Sequence, residues 1–378
     1  MAEVYEKHWK LFSDACKVPE DILSIEDVES YLFSAMPWTI VEPWGGSGLL
    51  AAKAPTGGRR AEISSVEEAL ALYAAGNTLI LPRAQKRWPK LAELCAKISS
   101  EMLCQVEANI YLTPPNSQGF LAHYDSHDVF LLQMEGSKRW RLRVDPAIHL
   151  PAVEDALRTE FIEVDRDYDG DEIQEVMLDK GASLYIPRGV VHSGVAEEQC
   201  SMHITFGLHP ITWYKLIRST VLDGTMQDSR LRQTVPHEIL CNLDDPASRE
   251  KVMEMAELAL SKGRVATSLR FLYERSGALV PGKRIRTINN MSRIDNGTRL
   301  RLQPGAELYW NDTSQQSWFT VTGRRITVPA SKMLILIDRV AELGSFSPDD
   351  LADLAKPDEA LEFCRWLIGQ GLVSFQEG

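Results

Sequence analysis

Residues Leu121–Arg141 read LAHYDSHDVFLLQMEGSKRWR, and this stretch predicts how the centre of the chain folds. His123 and Asp125 are two residues apart, so on an extended strand both side chains leave the same face. An apolar run over Val129–Met134 follows, and alternating apolar and charged residues resume after Gly136. This pattern is typical of a β-hairpin that turns at the glycine. The hairpin would begin with an imidazole and a carboxylate placed to supply two adjacent ligands to a metal.

A second stretch, Asp179–His192, supplies a third candidate ligand. It reads DKGASLYIPRGVVH, which predicts a turn, a buried strand, a Pro-Gly bend and a histidine at the exit. On a barrel, His192 would return beside His123 and Asp125. Two histidines and one carboxylate form a face that leaves positions open on non-haem Fe(II). A His-x-Asp pair is common by chance, and the metal site is predicted only because Pro-x-Gly-x-x-His follows it on a second β-type segment.

Composition limits the classes of partner. The 378 residues are 44% apolar and 25% charged, as in globular proteins with two or three domains. The net charge of −12 argues against nucleic acid as the main partner and favours a basic protein or peptide. The six cysteines include no Cys-x-x-Cys, so neither a structural zinc site nor a disulfide framework is indicated. With no apolar run of signal-peptide or membrane-spanning type, we expect a soluble cytoplasmic protein without a membrane partner.

The order of predicted elements suggests three domains, over residues 1–210, 211–297 and 298–378. The first begins with amphipathic helices at Val4–Cys16 and Ile25–Ser34 and continues with many short strands, which predict an antiparallel sandwich or barrel. The second is helical and carries no chemical motif, so its default role is a scaffold or dimerisation region. The third resembles a winged helix. From Arg301 to Gly378, however, seven basic residues stand against eleven acidic ones, and direct DNA binding is not expected.

Two segments carry a family resemblance. HYDSHDVFLLQMEGSKRWRL (residues 123–142), together with LDKGASLYIPRGVVHSG (residues 178–194), resembles the JmjC-type 2-oxoglutarate oxygenases, and within them the ribosomal oxygenase group. The resemblance extends over most of the chain from about residue 30. It implies an α+β fold with a double-stranded β-helix core of the jelly-roll or cupin type, a helical dimerisation region and a C-terminal winged-helix-like domain.

The resemblance also implies cosubstrate-binding residues. Lys138, thirteen residues after Asp125, matches the lysine that binds the distal carboxylate of 2-oxoglutarate. Asn109 and Tyr111 on the preceding strand, and Thr205 on the strand after the second histidine, match other positions that contact the cosubstrate. On spacing alone, these last three would fit strand residues with a structural role.

Other polar residues near the motifs receive less specific interpretations. His127 follows the first motif, but on an extended strand it lies too far from His123 to share a metal, so a rim or substrate-contact role is expected. His203 and His209 are expected to be structural. Arg188, beside the Pro-Gly bend, is expected to be a solvated loop residue.

The function implied by the resemblance is hydroxylation that depends on Fe(II) and 2-oxoglutarate. His123, Asp125 and His192 would be the catalytic metal ligands, O2 would be consumed, and succinate and CO2 would be released. The implied substrate is a ribosomal protein, hydroxylated at Cβ of an arginine or histidine, and the implied assembly is a homodimer. One alternative is the same chemistry on a biosynthetic peptide or small molecule. Another is a non-catalytic cupin-like binding module, against which the intact ligand set with Lys138 argues.

Overall fold

The computed structural model describes residues 3–13, 22–34, 50–52, 61–63, 65–144, 149–151, 162–163, 173–242, 244–274, 284–303, 309–313, 316–321, 324–328 and 333–376. The chain divides into two compact units. The first comprises Met1–Cys95 and Val106–His209, and the second comprises Ala96–Gln105 and Pro210–Gly378. The division into three domains at residues 210 and 297 stays a prediction.

The described part of the first unit contains an eight-stranded and a five-stranded sheet, with antiparallel pairing between the strands. In chain order the strands are β1 (Lys10–Phe12), β2 (Leu50–Ala52), β3 (Ala61–Glu62), β4 (Thr78–Leu81), β5 (Gln105–Thr113), β6 (His123–Tyr124), β7 (Asp128–Glu135), β8 (Ser137–Arg143), β9 (Ile162–Glu163), β10 (Ile173–Asp179), β11 (Ser183–Ile186), β12 (His192–Ala196) and β13 (Ser201–His209). The larger sheet has the order β1-β11-β7-β13-β5-β4-β2-β3, and the smaller has the order β10-β8-β12-β6-β9.

The two sheets share one apolar core. Leu131 of β7 and Leu184 of β11 come from the larger sheet, and Trp140 and Leu142 of β8 come from the smaller, and all four are buried in the same cluster. Each such side chain removed from water contributes about 1.5–3 kcal/mol. The predicted α+β class with an antiparallel double-sheet core is confirmed.

The predicted hairpin around Gly136 is wrong, although the turn lies at that residue. The strand β7 pairs with β11 and β13, while β8 pairs with β10 and β12, so the chain crosses from one sheet to the other. The crossing requires a left-handed φ of 61° at Gly136, and a Cβ there would clash with the carbonyl oxygen of Cys200. The difference arises because each strand finds neighbours elsewhere in the chain. The nearly continuous burial of β7 is typical of a central strand, whereas β8 alternates.

Three helices accompany these strands: α1 (Ile25–Ser34), α2 (Val66–Ala74) and α3 (Pro89–Met102). The side chain of Ser65 caps α2 by accepting a hydrogen bond from the Glu68 amide at 3.1 Å. The predicted helix over Val4–Cys16 is wrong in its described part, which forms a turn and then β1. There Leu11 packs on the shared core, so tertiary packing overrides the helical periodicity. Residues 14–16 lie outside the described residues.

The second unit is mostly helical. Its further helices are α4 (Trp213–Gln227), α5 (His237–Cys241), α6 (Pro246–Lys262), α7 (Val265–Glu274), α8 (Arg284–Asn289), α9 (Met333–Leu343) and α10 (Pro357–Gly369). Its strands β14 (Leu300–Leu302), β15 (Tyr309–Thr313), β16 (Gln316–Val321), β17 (Arg324–Thr327), β18 (Ser345–Phe346) and β19 (Val373–Phe375) form the sheets β18-β14-β19 and β15-β16-β17. The helices α9 and α10 enclose a core that includes Ile337, Val340, Phe363 and Leu367. The winged-helix assignment stays a prediction. Among the described residues, no helix has the length and apolar character that crossing a bilayer requires.

Candidate functional site

Three predicted ligands meet at the paired ends of β6 and β12. The antiparallel register sets His123 directly opposite His192, and the two ring centroids are 4.4 Å apart. Asp125 follows β6, and its Oδ2 lies 3.6 Å from Nε2 of His192. One ligand atom from each of the three residues lies within 4.8 Å of the others. The structure therefore brings together the histidine pair and the carboxylate that the two sequence segments suggested.

Backbone contacts fix which nitrogen of each histidine faces the site. Nδ1 of His123 lies 2.8 Å from the carbonyl oxygen of Leu121, and Nδ1 of His192 lies 3.0 Å from that of Val190. Because a carbonyl oxygen only accepts, each Nδ1 carries a proton, and in the neutral imidazole Nε2 is then the nitrogen without one. Such contacts orient ligating histidines before a metal arrives. Two imidazoles and one carboxylate are a donor set that suits non-haem Fe(II).

Lys138 lies on the inward face of β8, across from β12. It is only 3% exposed, its Nζ donates to Thr113 Oγ1 at 3.1 Å, and Nζ lies 5.4 Å from the centroid of the Trp140 ring. Among the described residues, no carboxylate pairs with this ammonium group, and burial lowers the pKa of Lys138 from 10.5 to about 7. A buried cation that contacts a hydroxyl and an indole ring but, among the described residues, no carboxylate is suited to an anionic ligand that enters from solution.

The strand β12 makes room for this lysine. Gly194 pairs with Trp140, and a Cβ added to it would lie 2.9 Å from Lys138 Cε and 3.1 Å from the indole ring. The absence of a side chain at Gly194 therefore lets Lys138 and Trp140 share the interior between the candidate ligands and Thr113.

The other three predicted cosubstrate residues lie on two strands of the larger sheet. Tyr111 stacks on the ring of His203, with centroids 4.9 Å apart and planes 4° apart. Thr205 is buried and lies two residues from His203 on β13, so both leave the same face. Asn109 shares the strand face of Tyr111, but its Oδ1 accepts a hydrogen bond from the amide of Arg83 at 3.0 Å. The structure thus places Tyr111 and Thr205 in the interior, whereas the side chain of Asn109 binds the backbone amide of Arg83.

Two further residues line this interior: Thr113, which the sequence did not single out, and His203, which was expected to be structural. The ring of His203 is 2% exposed and stands edge-on to Trp140 at 5.6 Å, and among the described residues its Nδ1 has no hydrogen-bond partner. Burial, with the nearby charge of Lys138 as a smaller cause, holds the pKa of His203 well below 6.5. The signal was present in the alternation, because Thr113 is two residues from Tyr111 and His203 is two from Thr205.

The expectation for Arg188 is wrong, because this side chain is buried. It forms an ion pair with Asp128 at 2.6 Å and another with Glu6 at 2.7 Å, which no local pattern in the sequence indicates. His127 stacks on His209, with ring centroids 4.7 Å apart and planes 18° apart. The rim or substrate-contact role of His127 stays a prediction.

Comparison with protein families identifies the region that holds these residues. Residues 81–216 match the family described as the JmjC domain, and the match includes the three candidate ligands and Lys138. The chain carries a JmjC domain. The resemblance suggested by the two sequence segments is thereby confirmed, and the JmjC domain includes β5–β13.

Similar proteins extend the comparison beyond the JmjC domain. The bifunctional lysine-specific demethylase and histidyl-hydroxylase NO66 of Drosophila persimilis is 38% identical over 162 residues, which are 41% of this chain and 22% of that protein. The NO66 protein of Drosophila simulans is 33% identical over 204 residues, or 50% of this chain and 23% of that protein. The chain therefore spans about a fifth of the length of these curated relatives.

Solved structures share the fold. The X-ray structure of YcfD from Escherichia coli covers 98% of this chain and 96% of its own, with 17% identity and a TM-score of 0.61. YcfD, a ribosomal oxygenase, in complex with cobalt and 2-oxoglutarate covers 99% of this chain and 96% of its own, with 16% identity and a TM-score of 0.59. At this identity the likeness shows the fold alone, and it applies to nearly the whole chain.

Proposed function

We propose that this chain is an Fe(II)- and 2-oxoglutarate-dependent oxygenase that hydroxylates a side chain of a ribosomal protein. The observation that carries the proposal is the pairing of two groups inside one JmjC domain. One is a two-histidine, one-carboxylate cluster with its histidine nitrogens already oriented, and the other is a buried lysine without a carboxylate partner among the described residues. The histidyl-hydroxylase and ribosomal oxygenase named among the similar proteins support the reaction and substrate class.

His123, Asp125 and His192 would hold the metal through Nε2, a carboxylate oxygen and Nε2. Bound Fe(II) and 2-oxoglutarate would together activate O2 for insertion of one oxygen atom into a substrate C–H bond, with release of succinate and CO2. The chain's own part in this reaction is to orient both imidazoles through the carbonyls of Leu121 and Val190 before either partner binds.

Lys138 would bind the distal carboxylate of 2-oxoglutarate. Thr113 orients its ammonium group, and Tyr111 and Thr205 line the interior beside it. Because burial lowers the pKa of Lys138 to about 7, the unliganded lysine is partly neutral near that pH. An arriving carboxylate would favour the ammonium form, so we expect cosubstrate binding to take up a proton.

The proposed substrate is an arginine or histidine side chain of a ribosomal protein, hydroxylated at Cβ. The net charge of −12 supports a basic protein partner. The described residues of α10 expose Asp358, Glu359 and Glu362, which supports a protein-contact role for the C-terminal region over direct DNA binding.

Mass spectrometry of ribosomal proteins from cells with and without the gene tests the substrate. We expect one ribosomal peptide to lose 16 Da, the mass of about one oxygen atom, in the cells that lack it. If no peptide differs although the purified protein turns over 2-oxoglutarate, the substrate is instead a biosynthetic peptide or small molecule. If the purified protein binds neither Fe(II) nor 2-oxoglutarate, it is a binding module.

A homodimer is the proposed assembly. The helix α4 exposes Trp213 by 79% and Met226 by 70%, and Ile217 and Leu222 are also exposed on this helix. Four large apolar side chains exposed on one helix support an interaction surface there. We expect a second copy of this chain to cover it, so that light scattering gives twice the chain mass. Leu222→Asp should give the mass of one chain, and an unchanged dimer in this variant would exclude the Leu222 side of α4 from the interface.

A further inference from the structure

A network of four residues, three of them buried, lies beside the proposed metal ligands. Its centre is Asp128, which is fully buried and pairs with Arg188, itself 5% exposed, through Oδ2 and Nη1 at 2.6 Å. Asp128 Oδ1 accepts hydrogen bonds from the Tyr185 hydroxyl at 2.9 Å and from the Arg188 amide at 3.3 Å. Every polar atom of this carboxylate is therefore directed at the segment that leads to the second metal histidine.

The N-terminal turn completes the network. Glu6 Oε1 accepts a hydrogen bond from Arg188 Nη2 at 2.7 Å, and the Glu6 amide donates to the Tyr185 hydroxyl at 2.9 Å. Burial and the Asp128 carboxylate hold the pKa of Tyr185 well above its ordinary value of 10, so its hydroxyl stays a donor. Both ends of the Arg188 fork are thus occupied by carboxylates, a geometry that lysine cannot reproduce.

The network joins the two segments that carry the metal ligands. Asp128 lies three residues after Asp125, and Arg188 lies four residues before His192. Between Arg188 and His192, the turn closes with a hydrogen bond from the Val190 amide to the Pro187 carbonyl at 3.2 Å. Gly189 occupies the left-handed position of this turn with a φ of 87°, as in a type II turn.

Two hydrogen bonds link this turn to the proposed metal ligands Asp125 and His192. The Gly189 amide donates to the Asp125 carbonyl at 3.0 Å, and Nδ1 of His192 donates to the Val190 carbonyl at 3.0 Å. The location of the turn therefore sets both the backbone of the carboxylate ligand and the ring of the histidine ligand. Because Asp128 holds Arg188 at the head of the turn, a shift of this ion pair would shift both ligands.

We propose that Asp128 and Arg188 are positioning residues that hold Asp125 and His192 at metal-binding separation, an inference that rests on the proposed metal site. Stability alone is a weak reason for such a pair. Taking two charges out of water is costly, and apolar residues of similar volume often replace a buried ion pair without loss of stability. What apolar residues do not provide is a directional link between the two ligand segments.

Titration of the metal-free full chain with Co(II), followed by calorimetry and the visible Co(II) spectrum, tests this role. We expect Arg188→Lys and Asp128→Asn to raise the dissociation constant for Co(II) about 10- to 100-fold and to change the spectrum, as loss of outer contacts to a ligand does. Tyr185→Phe should act in the same direction but less strongly. The matched control is Lys180→Met, which removes an exposed ion pair with Glu135 at 2.8 Å just before β11.

The double variant Asp128→Leu/Arg188→Met separates positioning from stability. We expect it to unfold near the wild-type temperature without metal and still to bind Co(II) more weakly. If Asp128→Asn does not fold, Arg188→Lys and Tyr185→Phe decide the question. Wild-type Co(II) affinity and spectrum in the folded variants would overturn the positioning role while leaving the metal site intact. Failure of the unaltered chain itself to bind Co(II) would overturn the metal site and, with it, this inference.

Discussion

Replacing Lys138 should raise the free energy of unfolding of the unliganded protein and weaken 2-oxoglutarate binding. This lysine is buried without a carboxylate partner among the described residues, so in the empty site its charge is an uncompensated cost. With 2-oxoglutarate bound, the same charge would have a carboxylate to pair with. Lys138→Met keeps most of the apolar stem beside Trp140 and removes only the ammonium group.

The sign of the stability effect follows from the lowered pKa of Lys138. Between about pH 7 and pH 10.5 the unfolded chain holds a proton at this residue that the folded chain does not. The destabilisation is therefore complete below about pH 7 and disappears as the pH rises toward 10.5. Its upper limit is about 5 kcal/mol, at ~1.4 kcal/mol for each pH unit between the two values. We expect Lys138→Met to raise the free energy of unfolding at pH 6.5 and to have little effect at pH 10.

The binding effect has the opposite sign. A hydrogen bond to a charged group contributes about 1.5–3 kcal/mol, so its loss should weaken 2-oxoglutarate binding by about 10- to 150-fold. Calorimetric titration with 2-oxoglutarate in the presence of Co(II) measures this change, and urea unfolding at the two pH values measures stability. Lys180→Met, at an exposed lysine of the same unit, should change neither quantity.

Two results would refute this reasoning. One is a dissociation constant for 2-oxoglutarate within threefold of the wild-type value, which would mean that another group binds the distal carboxylate. The other is loss of Co(II) binding in Lys138→Met, which would place the lysine in the metal centre instead of the cosubstrate site.

Three further predictions follow from the interior of the JmjC domain. Because the pKa of Lys138 is about 7, 2-oxoglutarate binding should weaken about tenfold between pH 7.5 and pH 8.5 in calorimetry, and a flat profile over this range would contradict the assignment. Gly194→Ala should displace Lys138 and Trp140, and so weaken 2-oxoglutarate binding without loss of Co(II) binding. The control is Gly369→Ala, where an added Cβ meets open space, and this variant should bind 2-oxoglutarate like the wild type. Gly136→Ala should lower the free energy of unfolding, measured by urea titration, by at least about 1–2 kcal/mol. The reason is that the backbone at this position is left-handed and an added Cβ would clash with the Cys200 carbonyl oxygen. An unchanged urea midpoint would contradict the crossing between sheets.

The grouping of His123, Asp125 and His192 could be predicted from sequence because its signals are local. His123 and Asp125 share a face because side chains on an extended strand alternate with a period of two residues. The Pro-Gly bend predicts that the chain turns back and brings His192 beside them. The same two-residue period would have placed Thr113 and His203 beside the site, because they lie two residues from Tyr111 and Thr205.

Strand pairing and the burial of Arg188 could not be predicted in this way. The residues around Gly136 satisfy a hairpin and a crossing between sheets equally well, and competition from the distant strands β10, β11, β12 and β13 decides between them. Arg188 is buried because Asp128, sixty residues earlier, supplies its charge partner. A polar bend beside a glycine is otherwise typical of an exposed loop.

The most direct test of the proposed chemistry is the visible spectrum of the anaerobic protein with Fe(II) and 2-oxoglutarate. A metal held by His123, Asp125 and His192 while 2-oxoglutarate contacts both the metal and Lys138 should give a charge-transfer band that neither addition produces alone. The band should be lost in Asp125→Ala and should need more 2-oxoglutarate in Lys138→Met. A folded wild-type protein that shows no such band at saturating Fe(II) and 2-oxoglutarate would contradict the proposed function.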